Sequence, residues 1–209
     1  MRTSPTGGRG RRRVAYRRRP SFAPVTLVAA AGAVAATLPG AAGPPALGPD
    51  GRIGAEFWSA SDGNLRSVTG NVAGRKPSSM NFLAWWDADP VRELLDGTRI
   101  DKYGPDGDTR LLTGSGVASN NGTKATPALS GDLFGDWREE VIWRTSDNTR
   151  LRIHTTRDVT DRKIYTLQHD TQYRVALAWQ NTAYNQPPHP SFFIGDRMPT
   201  PPQPSIYVR

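Results

Sequence analysis

A lysine lies within a loop of amide and hydroxyl side chains at residues 119–127, which read SNNGTKATP. Gly122 permits a positive φ angle, and Asn120 and Asn121 tolerate one, so the pattern predicts an irregular loop. Its amide, hydroxyl and ammonium groups could together bind a polyhydroxylated, anionic ligand. The same residues also fit an ordinary surface connection with Lys124 in solvent, and the loop by itself leaves both interpretations open.

Two acidic turns, one on each side of this loop in the sequence, could bind a hard cation. Each places three carboxylates at odd-numbered positions: Asp87, Asp89 and Glu93 in the first turn, and Asp132, Asp136 and Glu140 in the second. Oxygen ligands with this spacing suit calcium, and Gly135 permits a tight turn in the second. In the alternative interpretation, the carboxylates accept hydrogen bonds from the backbone amides of their own turns and bind no metal.

A second polar loop, AWQNTAYNQPPHP at 178–190, combines aromatic and amide side chains around a pair of prolines. Aromatic rings over sugar faces, with amides at the edges, are typical of carbohydrate-binding sites, and Tyr184 is one such ring. A proline-rich loop that packs on a sheet would have the same composition. His154 and His169 could act as bases or metal ligands, although a single histidine on a strand is more often structural.

The charge distribution gives no reason to expect a nucleic-acid partner. The chain has 209 residues and a formal net charge of +8, but eight arginines precede residue 20 and no acidic residue precedes Asp50. From Asp50 onward the chain has 19 basic and 19 acidic residues, so the body of the chain carries no net charge. The absence of cysteine excludes a disulfide scaffold and zinc-thiolate sites.

Residues 1–50 are predicted to lie outside the fold. An arginine-rich start precedes an apolar, alanine-rich run at 22–43, a pattern typical of a secretory signal, which predicts a secreted protein. Pro24, Gly32 and Pro39 interrupt the apolar run, so stable insertion into a membrane is not expected. A disordered segment, or the mis-framed translation of a GC-rich gene, would have the same composition.

The body, residues 51–209, reads as short strands separated by turn residues, which predicts an all-β fold. Nine segments have strand character, at 55–60, 65–70, 82–87, 109–114, 126–131, 140–145, 150–155, 163–168 and 173–179. Residues 91–97 are predicted as a turn of helix. Strand sets that carry a tryptophan and an acidic turn recur about every 40 residues, which favours propeller blades over a sandwich. The body is long enough for three or four blades, so the propeller would be incomplete.

Three long stretches, residues 81–97, 119–153 and 164–196, resemble the C-terminal part of rhamnogalacturonan lyases of polysaccharide lyase family eleven, which form an eight-bladed β-propeller. The resemblance implies an extracellular, calcium-dependent enzyme that cleaves the rhamnose–galacturonate backbone of rhamnogalacturonan I in pectin by β-elimination. Carried over by motif, the sugar-binding residues would be Asn121, Gly122 and Thr123, and the residues at the reacting centre would be Lys124 and Tyr184. The two would act as base and acid, in either order. The resemblance also implies calcium at both acidic turns.

Members of this family have many more residues before the point that matches Gly54. The chain is therefore predicted to be a lyase fragment that keeps the C-terminal blades of the eight-bladed β-propeller. We expect it to be inactive alone unless another chain supplies the missing N-terminal blades. The alternative is a non-catalytic carbohydrate- or calcium-binding β module, or a pseudogene product without function.

Overall fold

Three antiparallel sheets follow one another along the chain in the computed structural model. The structure describes residues 57–58, 64–67, 70–79, 81–122, 124–182, 185–195, 198–201 and 203–205, which all lie in one compact unit, Ala31–Arg209. The predicted boundary near residue 50 and the apolar run at 22–43 lie outside these residues. Within the described part of the chain, no helix has the length and apolar character that a bilayer span requires.

The first sheet has three strands and the other two have four each. The second sheet is a meander in which each strand pairs with the next, and the third has the order β11-β10-β8, with β9 also paired to β10. A 3-10 turn, Leu167–His169, and one helix, α1 (Thr171–Ala178), follow the sheets. The strands are β1 (Phe57–Trp58), β2 (Leu65–Arg66), β3 (Val72–Gly74), β4 (Phe82–Ala84), β5 (Glu93–Asp96), β6 (Arg99–Lys102), β7 (Thr109–Thr113), β8 (Val117–Ala118), β9 (Leu129–Gly131), β10 (Glu140–Thr145) and β11 (Leu151–His154).

The all-β prediction is confirmed in its coarser form, since the described residues are mostly antiparallel sheet with few helical residues. The strand predicted at 140–145 is confirmed as β10. The helical turn predicted at 91–97 is wrong, because this segment forms β5 and pairs with strands on both sides. Leu94 and Leu95 are both buried, so two consecutive apolar residues face opposite sides of a covered sheet.

The strands predicted at 163–168 and 173–179 are also wrong. The first contains no strand and runs into the 3-10 turn, and the second lies largely within α1. Asp170 caps this helix, and its side chain accepts a hydrogen bond from the backbone N–H of Gln172. Tyr173 and Ala176, three residues apart, are buried on one helix face. Helical spacing therefore determines this segment, although its apolar residues also alternate.

The main hydrophobic core lies between the second and third sheets. The second sheet contributes Phe82, Ala84, Leu95 and Ile100 to this core, and Trp86 joins them just after β4. The third sheet contributes Val117, Val141 and Trp143. Both sheets therefore turn one apolar face toward the other, as in sheet-on-sheet packing. A second cluster joins Trp85 and Trp137, at the ends of the same sheets, to the C-terminal segment that contains α1.

The opposite face of the third sheet is only partly covered. Leu129, Ile142 and Ile153 lie in register across β9, β10 and β11 and form an apolar row. Helix α1 covers one end of this face, where a methyl group of Leu177 lies so close to Gly131 that a side chain at 131 would require Leu177 to move. At the other end Ile153 is 49% exposed, and Leu151 on the edge strand β11 is 67% exposed.

Candidate functional site

The lysine-containing loop, residues 119–128, connects β8 to β9 along one edge of the third sheet. β8 pairs with Arg144 and Thr145 of β10, whereas β9 pairs with Glu140, Val141 and Ile142 on the same side of that strand. The loop therefore interrupts what would otherwise be one continuous strand. Both of its ends are fixed by β-sheet hydrogen bonds, which is an effective way to hold an irregular loop in one place.

Within the loop, one asparagine organises the backbone around Lys124. The side-chain Oδ1 of Asn121 accepts hydrogen bonds from the backbone N–H groups of Lys124, at 2.6 Å, and Ala125, at 3.1 Å. Ala125 has a φ angle of +54°, a left-handed conformation that costs energy for a residue with a side chain. Strain of this kind persists only where the surroundings enforce it, and it is most common at functional sites.

The second sheet anchors the loop on one side. The Asn81 side-chain amide donates hydrogen bonds to the backbone carbonyl of Lys124 and, at 2.9 Å, to Oδ1 of Asp96. The backbone N–H of Gly97, in the turn between β5 and β6, donates to the carbonyl of Ala125 at 3.0 Å. The backbone of Lys124 is therefore fixed against a hairpin of the neighbouring sheet.

An asparagine cluster anchors the loop from the segment that follows α1. The Asn181 side chain donates to the carbonyl of Ala128 and accepts hydrogen bonds from Asn120 and, at 3.3 Å, from Asn185. Asn181 itself has a φ angle of +64°, a conformation that asparagine tolerates better than most residues. The structure therefore brings Asn181 and Asn185 to the part of the chain that carries Lys124.

The predicted sugar and catalytic residues are thus partly located. Asn121 and Gly122 are exposed and Lys124 is half-buried, all on the anchored loop. Thr123 and Tyr184 lie outside the described residues. Asn81 was not predicted. Asn181 and Asn185 were predicted as amides of a carbohydrate-binding loop, and their contacts with the Lys124 loop were not, since these depend on distant parts of the chain.

The first acidic turn does bring its three carboxylates together. One oxygen from each of Asp87, Asp89 and Glu93 lies within 4.8 Å of the others, the one such cluster among the described residues. The second oxygen of each accepts a backbone hydrogen bond, from Asp89, Val91 and Trp86 respectively. Each carboxylate is therefore oriented by the backbone and directs one oxygen toward a shared centre, an arrangement that suits a hard cation.

Lys102 of β6 lies at this shared centre. Its Nζ donates to Asp87, to Asp89 at 2.6 Å and to Glu93 at 3.4 Å. Burial raises the pKa of Glu93 well above its usual value, and the nearby charge of Asp87 raises it further. Burial by itself would lower the pKa of Lys102, but the hydrogen bonds to Asp87 and Asp89 and the charge of Glu93 outweigh it and raise that pKa. The ammonium group thus partly neutralises the cluster.

The second acidic turn does not bring its carboxylates together. Asp132 is fully buried and accepts hydrogen bonds from the backbone N–H groups of Gly135 and Leu167 and from the Thr166 hydroxyl. Glu140 accepts hydrogen bonds from the N–H groups of Leu133 and Phe134 and from the Thr155 hydroxyl, whereas Asp136 is exposed and pairs with Arg138. Capping hydrogen bonds thus hold this turn, as the alternative interpretation of its acidic residues expects, and calcium at Asp132, Asp136 and Glu140 stays a prediction.

A buried ionic network that the sequence did not reveal connects the sheets to α1. Glu139 accepts hydrogen bonds from the Tyr173 hydroxyl at 2.7 Å and from the backbone of Trp85 at 3.0 Å, and Arg92 lies 3.7 Å away. The Arg92 guanidinium stacks over the Trp85 ring at 3.8 Å. Burial raises the pKa of Glu139, although Arg92 and Tyr173 oppose this effect. The network supports the elements that carry the Lys124 loop.

The chain is similar to known proteins over most of its length. A family described as rhamnogalacturonan lyase family 11, C-terminal domain, matches residues 48–204. The chain is 54% identical over 158 residues to the rhamnogalacturonan endolyase YesW of Bacillus subtilis (strain 168), which covers 74% of this chain and 25% of that protein. It is 52% identical over 147 residues to the rhamnogalacturonan exolyase YesX of the same organism, which covers 66% of this chain and 24% of that protein.

Solved structures show the same similarity. A rhamnogalacturonan lyase from Bacillus licheniformis superposes with a TM-score of 0.72 at 50% identity, over 79% of this chain and 28% of that one. The crystal structure of YesW superposes with a TM-score of 0.69, over 74% of this chain and 27% of that one. The chain thus spans about a quarter of the length of the curated relatives it matches.

Proposed function

This chain belongs to rhamnogalacturonan lyase family 11, whose C-terminal domain it carries, and we propose that it contributes to cleavage of the rhamnogalacturonan I backbone of pectin. The observation that supports the proposal is the Lys124 loop. Its polar side chains project from a backbone that two sheet strands, a neighbouring hairpin and an asparagine cluster hold in place. Such fixed positioning is what a group that must meet one proton of a substrate requires.

The reaction would be a β-elimination. A base removes the proton at C5 of galacturonate, the bond from C4 to the leaving oxygen breaks, and an acid protonates that oxygen. We assign these two proton transfers to Lys124 and Tyr184, and contacts with the sugar to Asn121, Gly122 and Thr123. The exposed Asn121 and Gly122 fit contact with a polymer that approaches from solvent.

We propose that calcium binds at Asp87, Asp89 and Glu93, where it would displace the Lys102 ammonium group. The convergent carboxylate oxygens support this assignment. Asn81, which contacts the loop, lies just before β4, and the carboxylate cluster lies just after this strand. The three residues of β4 span about 10 Å at 3.3 Å per residue, so the loop contact and the cluster lie at opposite ends of the strand. Calcium at this end would stabilise the turn between β4 and β5 rather than contact the reacting sugar.

We further propose that the three sheets are consecutive blades of an eight-bladed β-propeller, and that catalysis needs the N-terminal part that the relatives have. The proposed site of action is outside the cell, since pectin is extracellular and residues 22–43 have the composition of a secretory signal. A non-catalytic, carbohydrate-binding β module is the second candidate, because the exposed polar residues Asn121 and Gly122 could bind a sugar without cleaving it.

The test measures the ultraviolet absorbance of unsaturated uronate during incubation with rhamnogalacturonan I and calcium. We expect no rise with the chain alone, and a rise when the N-terminal three quarters of YesW is added. Lys124→Ala should abolish that rise, whereas Lys163→Ala, at an exposed lysine outside the loop, should not. Binding of the polysaccharide without cleavage in every mixture would favour the non-catalytic module.

A further inference from the structure

A depression of about 430 Å³ lies at the end of the hairpin that joins β10 to β11. Its lining residues are Gly116, Thr145, Ser146, Asp147, Thr149, Arg150 and Arg152. This volume lies within the range of roughly 300–1,000 Å³ that is common for small-molecule sites. None of these residues has a role in the proposed reaction.

Two arginines supply positive charge to this depression. Arg150 and Arg152 are two residues apart, so they lie on the same face of the β11 segment. Arg152 donates a hydrogen bond to the carbonyl of Ser115, which fixes its guanidinium beside Gly116. Among the described residues, neither arginine forms an ion pair with a carboxylate, which is also true of Arg144, Arg157 and Arg174. Their charges are therefore available to an anionic ligand.

A carboxylate and hydroxyl groups lie beside the two arginines. Asp147 accepts hydrogen bonds at one oxygen from the backbone N–H of Thr149 and from the hydroxyls of Thr145 and Thr149. These bonds lower the pKa of Asp147, so this residue remains ionised at neutral pH. An ionised carboxylate accepts hydrogen bonds from ligand hydroxyls but repels a simple inorganic anion. The depression thus offers cationic donors and an anionic acceptor together.

We propose that this depression binds a uronate unit of an acidic polysaccharide, with its carboxylate at Arg150 and Arg152 and its hydroxyls at Asp147 and Ser146. The planar guanidinium matches a carboxylate, and the neighbouring acceptor selects a ligand that also carries hydroxyl donors. The choice of a pectic polymer rests on the proposed function, but the recognition chemistry does not involve Lys124 or Tyr184.

The position of the depression suits a polymer that also reaches the Lys124 loop. Arg144 of β10 donates to the carbonyl of Ser119, where the loop begins, and to the side chain of Asn148 in the hairpin turn. Arg144 thus links the start of the loop to the hairpin turn whose neighbouring residues line the depression. A polymer held at both would bind more tightly than at either one, because the second contact forms within the complex.

The experiment measures binding of trigalacturonate to the full chain by isothermal titration calorimetry. It uses the Lys124→Ala variant, so that the catalytic lysine is absent. Arg150→Gln with Arg152→Gln should weaken binding at least about tenfold, the loss expected when a charge-assisted contact disappears. The matched control, Arg157→Gln with Lys163→Gln, removes the same charge at two exposed residues outside the depression and should leave binding unchanged. Thermal unfolding of both double variants checks that the fold is intact.

Two ligand controls test the chemical class. Methyl-esterified trigalacturonate, which lacks the charges, and inorganic sulfate, which lacks sugar hydroxyls, should not bind to the depression. Equal binding of triglutamate would overturn the assignment to a sugar in favour of an acidic peptide. Unchanged binding of trigalacturonate in the Arg150/Arg152 variant would overturn the site while leaving the lyase proposal intact. Loss of binding in that variant would support the site even if no lyase activity is found.

Discussion

Replacement of Tyr173 by phenylalanine tests whether the buried ionic network holds the protein together. The Tyr173 hydroxyl is fully buried, donates to Glu139 at 2.7 Å and accepts from the backbone N–H of Asp132 at 2.8 Å. Phenylalanine keeps the ring and removes both hydrogen bonds. A bond to a charged acceptor is worth about 1.5–3 kcal/mol, and a buried unpaired N–H costs about 1–3 kcal/mol. We therefore expect the free energy of unfolding to fall by about 3 kcal/mol.

Urea denaturation followed by tryptophan fluorescence measures this loss, because Trp85 and Trp137 lie in the same cluster as Tyr173. Tyr165→Phe is the matched control. Tyr165 is exposed, so the same chemical change there should alter stability by no more than about 0.5 kcal/mol. A loss below about 1 kcal/mol for Tyr173→Phe would refute the reasoning, because Glu139 and Asp132 would then have other partners in the folded protein.

Three further predictions concern calcium, pH and the loop. Calcium should raise the melting temperature of the protein. Asp89→Asn should remove most of that rise, because the substitution weakens one of the three convergent ligands. An equal rise in the variant would exclude this site. Burial and the charge of Arg152 lower the pKa of His154, so stability should fall as the pH drops below about 6.5. Denaturation between pH 7.5 and 5 should show that His154→Gln lessens this fall, and an unchanged slope would contradict the assignment. Asn181→Gly keeps the left-handed backbone but removes the side-chain contacts with the loop, so amide exchange at residues 119–128 should become at least tenfold faster, whereas exchange in β10 should stay the same.

The sequence predicted elements whose signals are local. Strand β10 alternates buried and half-buried residues along EVIWRT, and this pattern determined its assignment. Helix α1 was missed because Tyr173, Val175 and Leu177 alternate as in a strand, while Tyr173 and Ala176 also fit a helix face. Packing against β9 and the capping carboxylate of Asp170 decided between two patterns that the sequence allows equally.

The acidic turns show the same limit for the site. Identical reasoning from spacing predicted calcium at both, yet only Asp87, Asp89 and Glu93 converge. Oδ1 of Asp132 accepts from the backbone of Gly135 in its own turn, whereas Oδ2 accepts from Thr166 and Leu167, which are more than thirty residues away in the chain. Spacing indicates where a carboxylate lies on its own turn, but it does not reveal the donors that reach the carboxylate from other elements.

The exposed edge of the third sheet has a consequence for how the protein behaves in solution. β11 is an edge strand with two exposed apolar side chains, a combination that favours pairing with another copy. Antiparallel pairing of two β11 strands would also bring the arginines at 150 and 152 of both copies close together, and their repulsion opposes it. Added salt screens this repulsion within a Debye length of about 10 Å at 0.1 M. The protein should therefore be least prone to self-association at low ionic strength.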